Sequence, residues 1–154
     1  MAQASSAAVM SGAPLLDLPD RAHSILDLVG HTPLLDVTAI DADLAPGVKL
    51  YAKLEGFNPG GSVKDRPAKK MVETGIAEGK LVRGKTILDS TSGNTGIGLA
   101  HICRARGYSC VIYMPDNQSR EKVDILETLG AEVHVVPTVA YADPMNYQKQ
   151  AERH

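Results

Sequence analysis

Two polar, glycine-rich turns carry the residue types that do chemistry, and the first of them precedes Lys64. The tetrapeptide Asn58-Pro59-Gly60-Gly61 has the composition of a turn, and it lies between a predicted strand and a predicted helix. Lys64 falls in the first turn of that helix, where the positive end of the helix dipole disfavours a charged ammonium group. This placement suits a lysine that acts as a nucleophile or forms a Schiff base, although an ordinary structural loop has the same spacing.

The second turn, residues 91–98, also follows a predicted strand and opens a predicted helix. Hydroxyl groups, an amide side chain and free backbone N–H groups converge there, and this combination binds carboxylate or phosphate. Its glycines follow the order G-x-x-G-x-G, which differs from the G-x-G-x-x-G of dinucleotide-binding turns, and no Walker-type lysine follows them. A capped helix packed tightly on its strand is the structural alternative for this turn.

Alternating strands and helices position both turns. The hydrophobic pattern predicts strands at residues 48–54, 86–89, 110–114 and 132–136. It predicts helices that begin near Ser62, within the second turn, at Ser119 and at Pro144. Elements in this order predict right-handed crossovers between parallel strands. The predicted fold class is therefore α/β, with a parallel twisted sheet and helices on both faces.

The composition excludes several classes of function. The chain has 154 residues and a net charge of −2, so it offers no basic excess to nucleic acid or to an anionic membrane surface. No apolar run approaches the ~18 residues of a membrane span. The five histidines lack the spacing of a helical metal pair, and we expect no metal ion.

Cysteine content and the N-terminal sequence bear on location. Cys103 and Cys110 are too few for a disulfide framework, and free thiols suit a reducing compartment. The Ala/Ser-rich N-terminus carries no Lys or Arg before Arg21, so it lacks the positive charges of a secretory or mitochondrial signal. We expect a cytoplasmic protein in which residues 1–27 form a flexible arm and residues 28–154 form one α/β domain.

Taken together, the two turns resemble those of one enzyme family. Gly60-Gly61-Ser62-Val63-Lys64-Asp65-Arg66 followed by Thr91-Ser92-Gly93-Asn94-Thr95-Gly96 is similar to the paired motifs of the cysteine synthase and cystathionine β-synthase family. The segment Leu28–Leu34 resembles the N-terminal signature of that family, and a further pattern is matched by Met114-Pro115, Ser119, Glu121 and Leu129-Gly130-Ala131. The resemblance covers residues 28–137 and implies the N-terminal half of a fold type II pyridoxal-phosphate enzyme.

The resemblance implies a role for each site residue. Lys64 would form a Schiff base with pyridoxal 5′-phosphate and then move the α-proton of the substrate. Asn94 would hydrogen-bond the ring hydroxyl of the cofactor. The α-carboxylate of an amino-acid substrate would be bound by Thr91, Ser92, Gly93 and Thr95. Family chemistry is β-replacement on an activated L-serine, O-acetylserine or O-phosphoserine, by sulfide or a similar nucleophile, and family members form homodimers.

The chain departs from this family in two respects. Family members are longer, and their second half carries a Gly/Thr-rich loop for the cofactor phosphate and a polar residue that faces the pyridine nitrogen. Nothing after Pro137 resembles either feature, so we expect a fragment that by itself binds the cofactor weakly and is weakly active or inactive. The Arg66-Pro67-Ala68 context is similar to that of members that use O-phosphoserine or form diaminopropionate.

Three other functions remain open from the sequence. One is a related β-replacement enzyme, of the cystathionine β-synthase or diaminopropionate-forming type. Another is a non-catalytic amino-acid-binding module in which Lys64 is structural. A nucleotide-binding βαβ domain is disfavoured by the reversed glycine order and by Tyr113-Met114-Pro115, which stands where an acidic residue would end the strand.

Overall fold

A three-stranded parallel sheet forms the centre of the protein. The computed structural model describes residues 21–154. Its sheet consists of β3 (Thr86–Ser90), β4 (Ser109–Pro115) and β5 (Glu132–Val136), in the order β3-β4-β5. Both pairs of neighbours are parallel, as the sequence pattern predicts, because each connection crosses over through a helix.

Within residues 21–154, four α-helices accompany the strands. They are α1 (Asp65–Ala77), α2 (Asn94–Arg106), α3 (Arg120–Thr128) and α4 (Tyr147–Arg153). Helix α2 ends at Gly107 and α3 is followed by Gly130, and both glycines adopt positive φ angles, 75° and 88°, that suit a residue without a side chain. Helices α2 and α3 therefore end a few residues before the strands that follow them, β4 and β5.

The side chains of β4 alternate between two cores. Cys110, Ile112 and Met114 are buried in a cluster with residues of α2 and α3. Val111 and Tyr113 point the other way and pack with Ala151 of α4. Helices thus cover both faces of the sheet, which confirms the predicted α/β architecture. Helix α1 packs mainly against α2, and Ile87 of β3 packs against the cluster that the two helices share. Both cysteines are buried and free.

One predicted strand does not belong to the parallel sheet. The segment predicted as a strand at residues 48–54 contains β2 (Tyr51–Lys53), which pairs antiparallel with β1 (Leu34–Asp36) in a separate two-stranded sheet. The expectation that the strand at residues 48–54 joins the parallel sheet was therefore wrong, while the predicted fold class holds. Alternating hydrophobicity indicates that a segment is a strand, but it does not specify which strand it pairs with.

Two predicted helix boundaries move by a few residues, and a side-chain cap accounts for the one at α4. Helix α1 begins at Asp65 rather than near Ser62, whose hydroxyl accepts a hydrogen bond from the Lys64 amide at 3.2 Å. Helix α4 begins after Asn146, whose side chain accepts from the Gln148 amide at 3.0 Å, and not at Pro144. Ser119 does occupy the N-cap position of α3.

The N-terminal part of the described chain is anchored to the domain. Most of the arm predicted at residues 1–27 lies outside the described residues. Its last residues lead into a 3-10 turn at Ile25–Leu28, which Ser24 caps and from which Leu26 is buried against α1 and α2. Across residues 21–154 there is no helix with both the length and the apolarity that a membrane span requires.

Candidate active site

The threonine turn, defined here as residues 91–95, connects β3 to α2. The Thr91 amide donates to the Tyr113 carbonyl at 3.0 Å, which extends the pairing of β3 with β4 by one residue. The Thr91 hydroxyl accepts from the Gly93 amide at 3.3 Å. These bonds fix the turn at the carboxyl edge of the sheet, where α/β proteins place their ligands.

Unused hydrogen-bond donors remain in the threonine turn. Within residues 21–154 the amides of Ser92, Asn94 and Thr95 donate to no protein atom. The side chains of Ser92 and Asn94 are exposed. Because the positive end of a 13-residue helix dipole adds to these donors, the turn is chemically suited to bind a carboxylate or phosphate.

Lys64 lies at the start of α1 and is exposed to solvent. It occupies the N-cap position, with φ −68° and ψ −18°. In the described part of the chain its ammonium group has neither a hydrogen-bond partner nor an ion-pair partner. The amine is therefore exposed and uncommitted, as a lysine that forms a Schiff base has to be.

Gly98 brings the starts of α1 and α2 together. A Cβ atom placed on Gly98 would lie 3.2 Å from the Lys64 carbonyl oxygen, from Asp65 Oδ1 and from Ala68 Cβ. Only a residue without a side chain permits this approach without displacing a neighbour. The structure thus joins two motifs that are about thirty residues apart in the sequence.

A charged network holds the loop that precedes Lys64. The Arg66 guanidinium donates to both carboxylate oxygens of Glu55, at 2.8 and 2.9 Å, and to the Thr32 hydroxyl at 2.9 Å. Thr32 in turn donates to Glu55 at 2.7 Å, and Asn58 donates to Glu55 at 2.9 Å. The segment that includes Thr32 resembles the family's N-terminal signature, so this segment and the loop that precedes Lys64 meet in one network.

Sequence reasoning missed this network. The charges of Glu55 and Arg66 are 11 residues apart, with a glycine-rich turn between them. The Arg66 hydrogen bonds are the main reason that the pKa of Glu55 falls from its ordinary 4.5 to about 2, and those from Thr32 and Asn58 add to the effect. The carboxylate is thereby held in its charged form over the whole neutral range.

Lys122 is a second residue that sequence reasoning did not assign to the site. Its ammonium group donates to the Ser92 carbonyl at 3.3 Å and to Gln118 at 2.9 Å. The sequence did contain a signal for Lys122. The residue lies in the first turn of α3, the helix that follows β4, and the start of that helix also faces the carboxyl edge of the sheet.

Comparison with known proteins decides the family. The family model described as pyridoxal-phosphate dependent enzyme matches residues 25–154. The chain belongs to this family. Its solved neighbours are fold type II members, in agreement with the resemblance recognised from the two motifs. Among residues 21–154 no three His, Cys, Asp or Glu side chains are grouped as a metal site.

Individual pyridoxal-phosphate enzymes are closely similar to this chain. Cysteine synthase 1 of Neurospora crassa is 47% identical over 133 residues, which are 86% of this chain and 35% of the relative. Cystathionine β-synthase of Saccharomyces cerevisiae is 47% identical over 125 residues, 80% of this chain and 25% of the relative. The chain therefore spans about a third or less of the length of these curated relatives.

A solved structure supports the same grouping. The O-acetylserine dependent cystathionine β-synthase from Helicobacter pylori superposes with a TM-score of 0.77 at 34% identity. The match covers 86% of this chain and 43% of that protein. A sequence identity of 34% is more than two unrelated proteins with the same fold would share. The two proteins are therefore similar in sequence as well as in fold.

The residues of the site fit part of a pyridoxal-phosphate cofactor. An unpartnered exposed amine at Lys64 suits its aldehyde, and the exposed amide side chain of Asn94 can donate to its ring hydroxyl. The free amides of the threonine turn suit the carboxylate of an amino acid that the cofactor activates. This donor set agrees with the family to which the chain belongs.

We expect Glu55→Gln to destabilise the protein by about 1–2 kcal/mol at pH 7, because it weakens charge-assisted hydrogen bonds at a partly exposed site. A folded-state pKa below the unfolded one gives stability that is complete above pH 4.5 and is lost as the pH falls towards 2. The difference between the variant and the wild type should therefore shrink over that interval, as measured by urea unfolding.

Glu127→Gln is the matched control, since Glu127 is exposed on α3 and has no ion-pair partner among the described residues. It should leave the unfolding free energy unchanged at both ends of the interval. A Glu55→Gln variant as stable as this control at pH 7 would contradict the role of the network.

Proposed function

We propose that the protein is a pyridoxal-phosphate-dependent enzyme that carries out β-replacement on an activated L-serine, of the cysteine synthase type. The observation that carries the proposal is the contact at Gly98, through which an unpartnered lysine and an anion-binding turn share one edge of the domain. The similarity to cysteine synthase 1 of Neurospora crassa supports it.

Each site residue then has a defined task. Lys64 would hold the cofactor through its amine, and the same amine would take the α-proton of the amino-acid substrate. Asn94 donates a hydrogen bond to the cofactor's ring hydroxyl. When bound, pyridoxal phosphate withdraws electrons from the bonds of the substrate α-carbon. The chain's own contribution is to orient that carbon and to hold the proton at the Lys64 amine.

The threonine turn orients the substrate. The free amides of Ser92 and Thr95 and the hydroxyl groups of the turn donate to the α-carboxylate. Thr91 contributes its hydroxyl, and Gly93 contributes its amide once that amide leaves the Thr91 hydroxyl to which it donates at 3.3 Å. The bonds from Thr91 to Tyr113 and from Lys122 to Ser92 hold the turn in place before substrate arrives. Pre-organised donors of this kind do not have to be reoriented when the substrate binds.

O-acetylserine is the donor that we propose. The Arg66-Pro67-Ala68 context is similar to that of members that use O-phosphoserine or form diaminopropionate. It does not supply a phosphate ligand here, because Arg66 is bonded to Glu55 and Thr32. Lys122, the cation at the threonine turn, donates to the neutral acceptors Ser92 and Gln118. The solved relative from Helicobacter pylori is named as O-acetylserine dependent, and this supports O-acetylserine as the donor.

A cystathionine β-synthase activity is the second candidate. The chain is 47% identical to the Saccharomyces cerevisiae cystathionine β-synthase over 125 residues, as close as to cysteine synthase. The two activities differ in the nucleophile, and the site residues named above bind only the amino-acid donor and the cofactor. The nucleophile therefore distinguishes the two candidate activities, and we propose sulfide, the nucleophile of a cysteine synthase.

Assembly and location complete the proposal. We infer a homodimer, as the family resemblance implies, and a small-molecule amino acid as the partner, with neither nucleic acid nor membrane. The net charge of −2 supports the exclusion of nucleic acid. A cytoplasmic location is supported by two buried, free cysteines, which suit a reducing compartment.

Lys64→Ala should abolish the yellow absorbance of the lysine-bound cofactor and lower turnover by at least about 10²-fold, the lower range for loss of a general base. The measurement uses the protein at its full natural length, reconstituted with pyridoxal phosphate. Lys70→Ala removes an equally exposed charge from the same helix and should change neither quantity. Full absorbance and turnover in Lys64→Ala would contradict this role of Lys64. A wild type without absorbance or turnover, whose affinity for an amino acid survives in Lys64→Ala, would favour the non-catalytic amino-acid-binding module.

The donor can be tested by competition between two activated serines. We expect kcat/KM with sulfide to be at least about tenfold higher for O-acetylserine than for O-phosphoserine, a difference of about 1.4 kcal/mol. Lys122→Met should leave this preference in place. Equal values for the two donors, or a phosphoserine preference that Lys122→Met removes, would contradict the proposed donor.

A further inference from the structure

Asp65 is a buried carboxyl group directly next to Lys64. Its residue surface is 2% exposed, which makes it one of the most buried polar residues in the described chain. One carboxylate oxygen, Oδ2, accepts a hydrogen bond from the Gly60 amide. The other, Oδ1, is buried and has no hydrogen-bond partner within residues 21–154. An unpartnered buried polar atom of this kind calls for a physical explanation.

The carboxyl group of Asp65 is enclosed between two glycines. A Cβ atom at Gly60, in the loop before Lys64, would overlap Oδ1. A Cβ atom at Gly98, on α2, would lie 3.2 Å from the same oxygen. Asp65 therefore fills the space between that loop and α2, and it contacts both of the elements that place Lys64 beside the threonine turn.

No cation balances a negative charge at this position. Arg66, the next residue of α1, is committed to Glu55, and Asp65 forms no ion pair in the part of the chain that the structure describes. The titratable groups that act on Asp65 are His101 on α2, which favours ionisation, and Glu55 in the preceding 3-10 turn, which opposes it. Burial is the largest effect and raises the pKa of Asp65.

We propose that Asp65 is a positioning residue that acts as an uncharged carboxylic acid, with its proton on Oδ1, and holds the start of α1 against α2. The part of this inference that concerns Lys64 rests on the proposed function. Because a buried charge without a partner costs far more than a buried hydroxyl, the protonated form is the one compatible with the observed packing. Oδ2 remains free to accept from the Gly60 amide.

The proposal has a consequence for stability that is opposite to that of Glu55. A carboxyl group whose folded-state pKa is raised stabilises the protein most below its ordinary pKa of 3.8. That contribution decreases as the pH rises from 3.8 towards the folded-state value. Asp65→Asn keeps the shape and an oxygen acceptor for Gly60 and has no charge to bury. Its stability relative to the wild type should therefore increase with pH.

The test compares Asp65→Asn with Asp65→Ala and Glu55→Gln by urea unfolding of the full-length protein. We expect the midpoint of Asp65→Asn at pH 7 to equal or exceed that of the wild type, whereas Asp65→Ala and Glu55→Gln are lower. Equal losses in Asp65→Asn and Asp65→Ala would show that the negative charge is needed. An Asp65→Ala variant as stable as the wild type would show that the contact positions nothing. Either result would overturn the proposal.

The protonation state can be observed directly by carbon NMR of aspartate carboxyl groups, with Asp65→Asn to assign the signal. Asp65 should titrate at a higher pH than Asp27 and Asp36. The pKa of each of these is lowered, mainly by hydrogen bonds from the His23 amide and the Thr38 hydroxyl, respectively. Titration of Asp65 at or below these two residues would overturn the proposal.

The link to Lys64 has its own readout. After reconstitution with pyridoxal phosphate, Asp65→Asn should keep the yellow absorbance that Lys64→Ala loses, and Asp65→Ala should reduce it. Unfolding and NMR require no cofactor, so these two measurements remain decisive even if Lys64 proves not to bind one. Wild-type absorbance in Asp65→Ala would overturn the positioning of Lys64.

Discussion

The close approach of α1 to α2 at Gly98 is the constraint on which the site depends. With no side chain at this position, the Lys64 carbonyl, the Asp65 carboxyl group and Ala68 all come within van der Waals distance of the α2 backbone. A larger residue would separate the lysine from the threonine turn, because backbone atoms and a buried carboxyl group cannot move aside as a flexible side chain can. One missing side chain therefore sets the geometry of two functional motifs.

Two acidic residues support this contact in different ways. Glu55 is partly exposed and bound by Arg66, Thr32 and Asn58, so its charge is stabilised and ties the lysine loop to the N-terminal segment. Asp65 is enclosed and has a single amide donor, so its charge is disfavoured. Their surroundings differ because the Arg66 guanidinium binds Glu55. The side chain of Asp65, the residue before Arg66, is buried inside the domain instead. The same type of side chain thus serves as an anion in one place and as a neutral spacer in the other.

Much of this arrangement could be predicted from the sequence. The strands at residues 132–136 and 110–114 and the helices between strands follow from hydrophobic periodicity, and the Lys64 and Asn94 turns follow from their glycine and hydroxyl content. The pairing of β2 with β1 could not be predicted, because periodicity carries no information about partners. The Glu55–Arg66 network, the bond from Lys122 to Ser92 and the burial of Asp65 depend on side chains brought together by tertiary packing, which no local pattern specifies.

The central claim is that Lys64, held beside the threonine turn, binds the cofactor. It is tested most directly by incubating the full-length protein with pyridoxal phosphate, reducing the lysine–cofactor bond with borohydride, and mapping the modified peptide by mass spectrometry. The account predicts that the cofactor mass lies on the peptide that contains Lys64, and that an excess of the amino-acid substrate before reduction removes it. Modification of another lysine such as Lys122, or of none, would contradict the account.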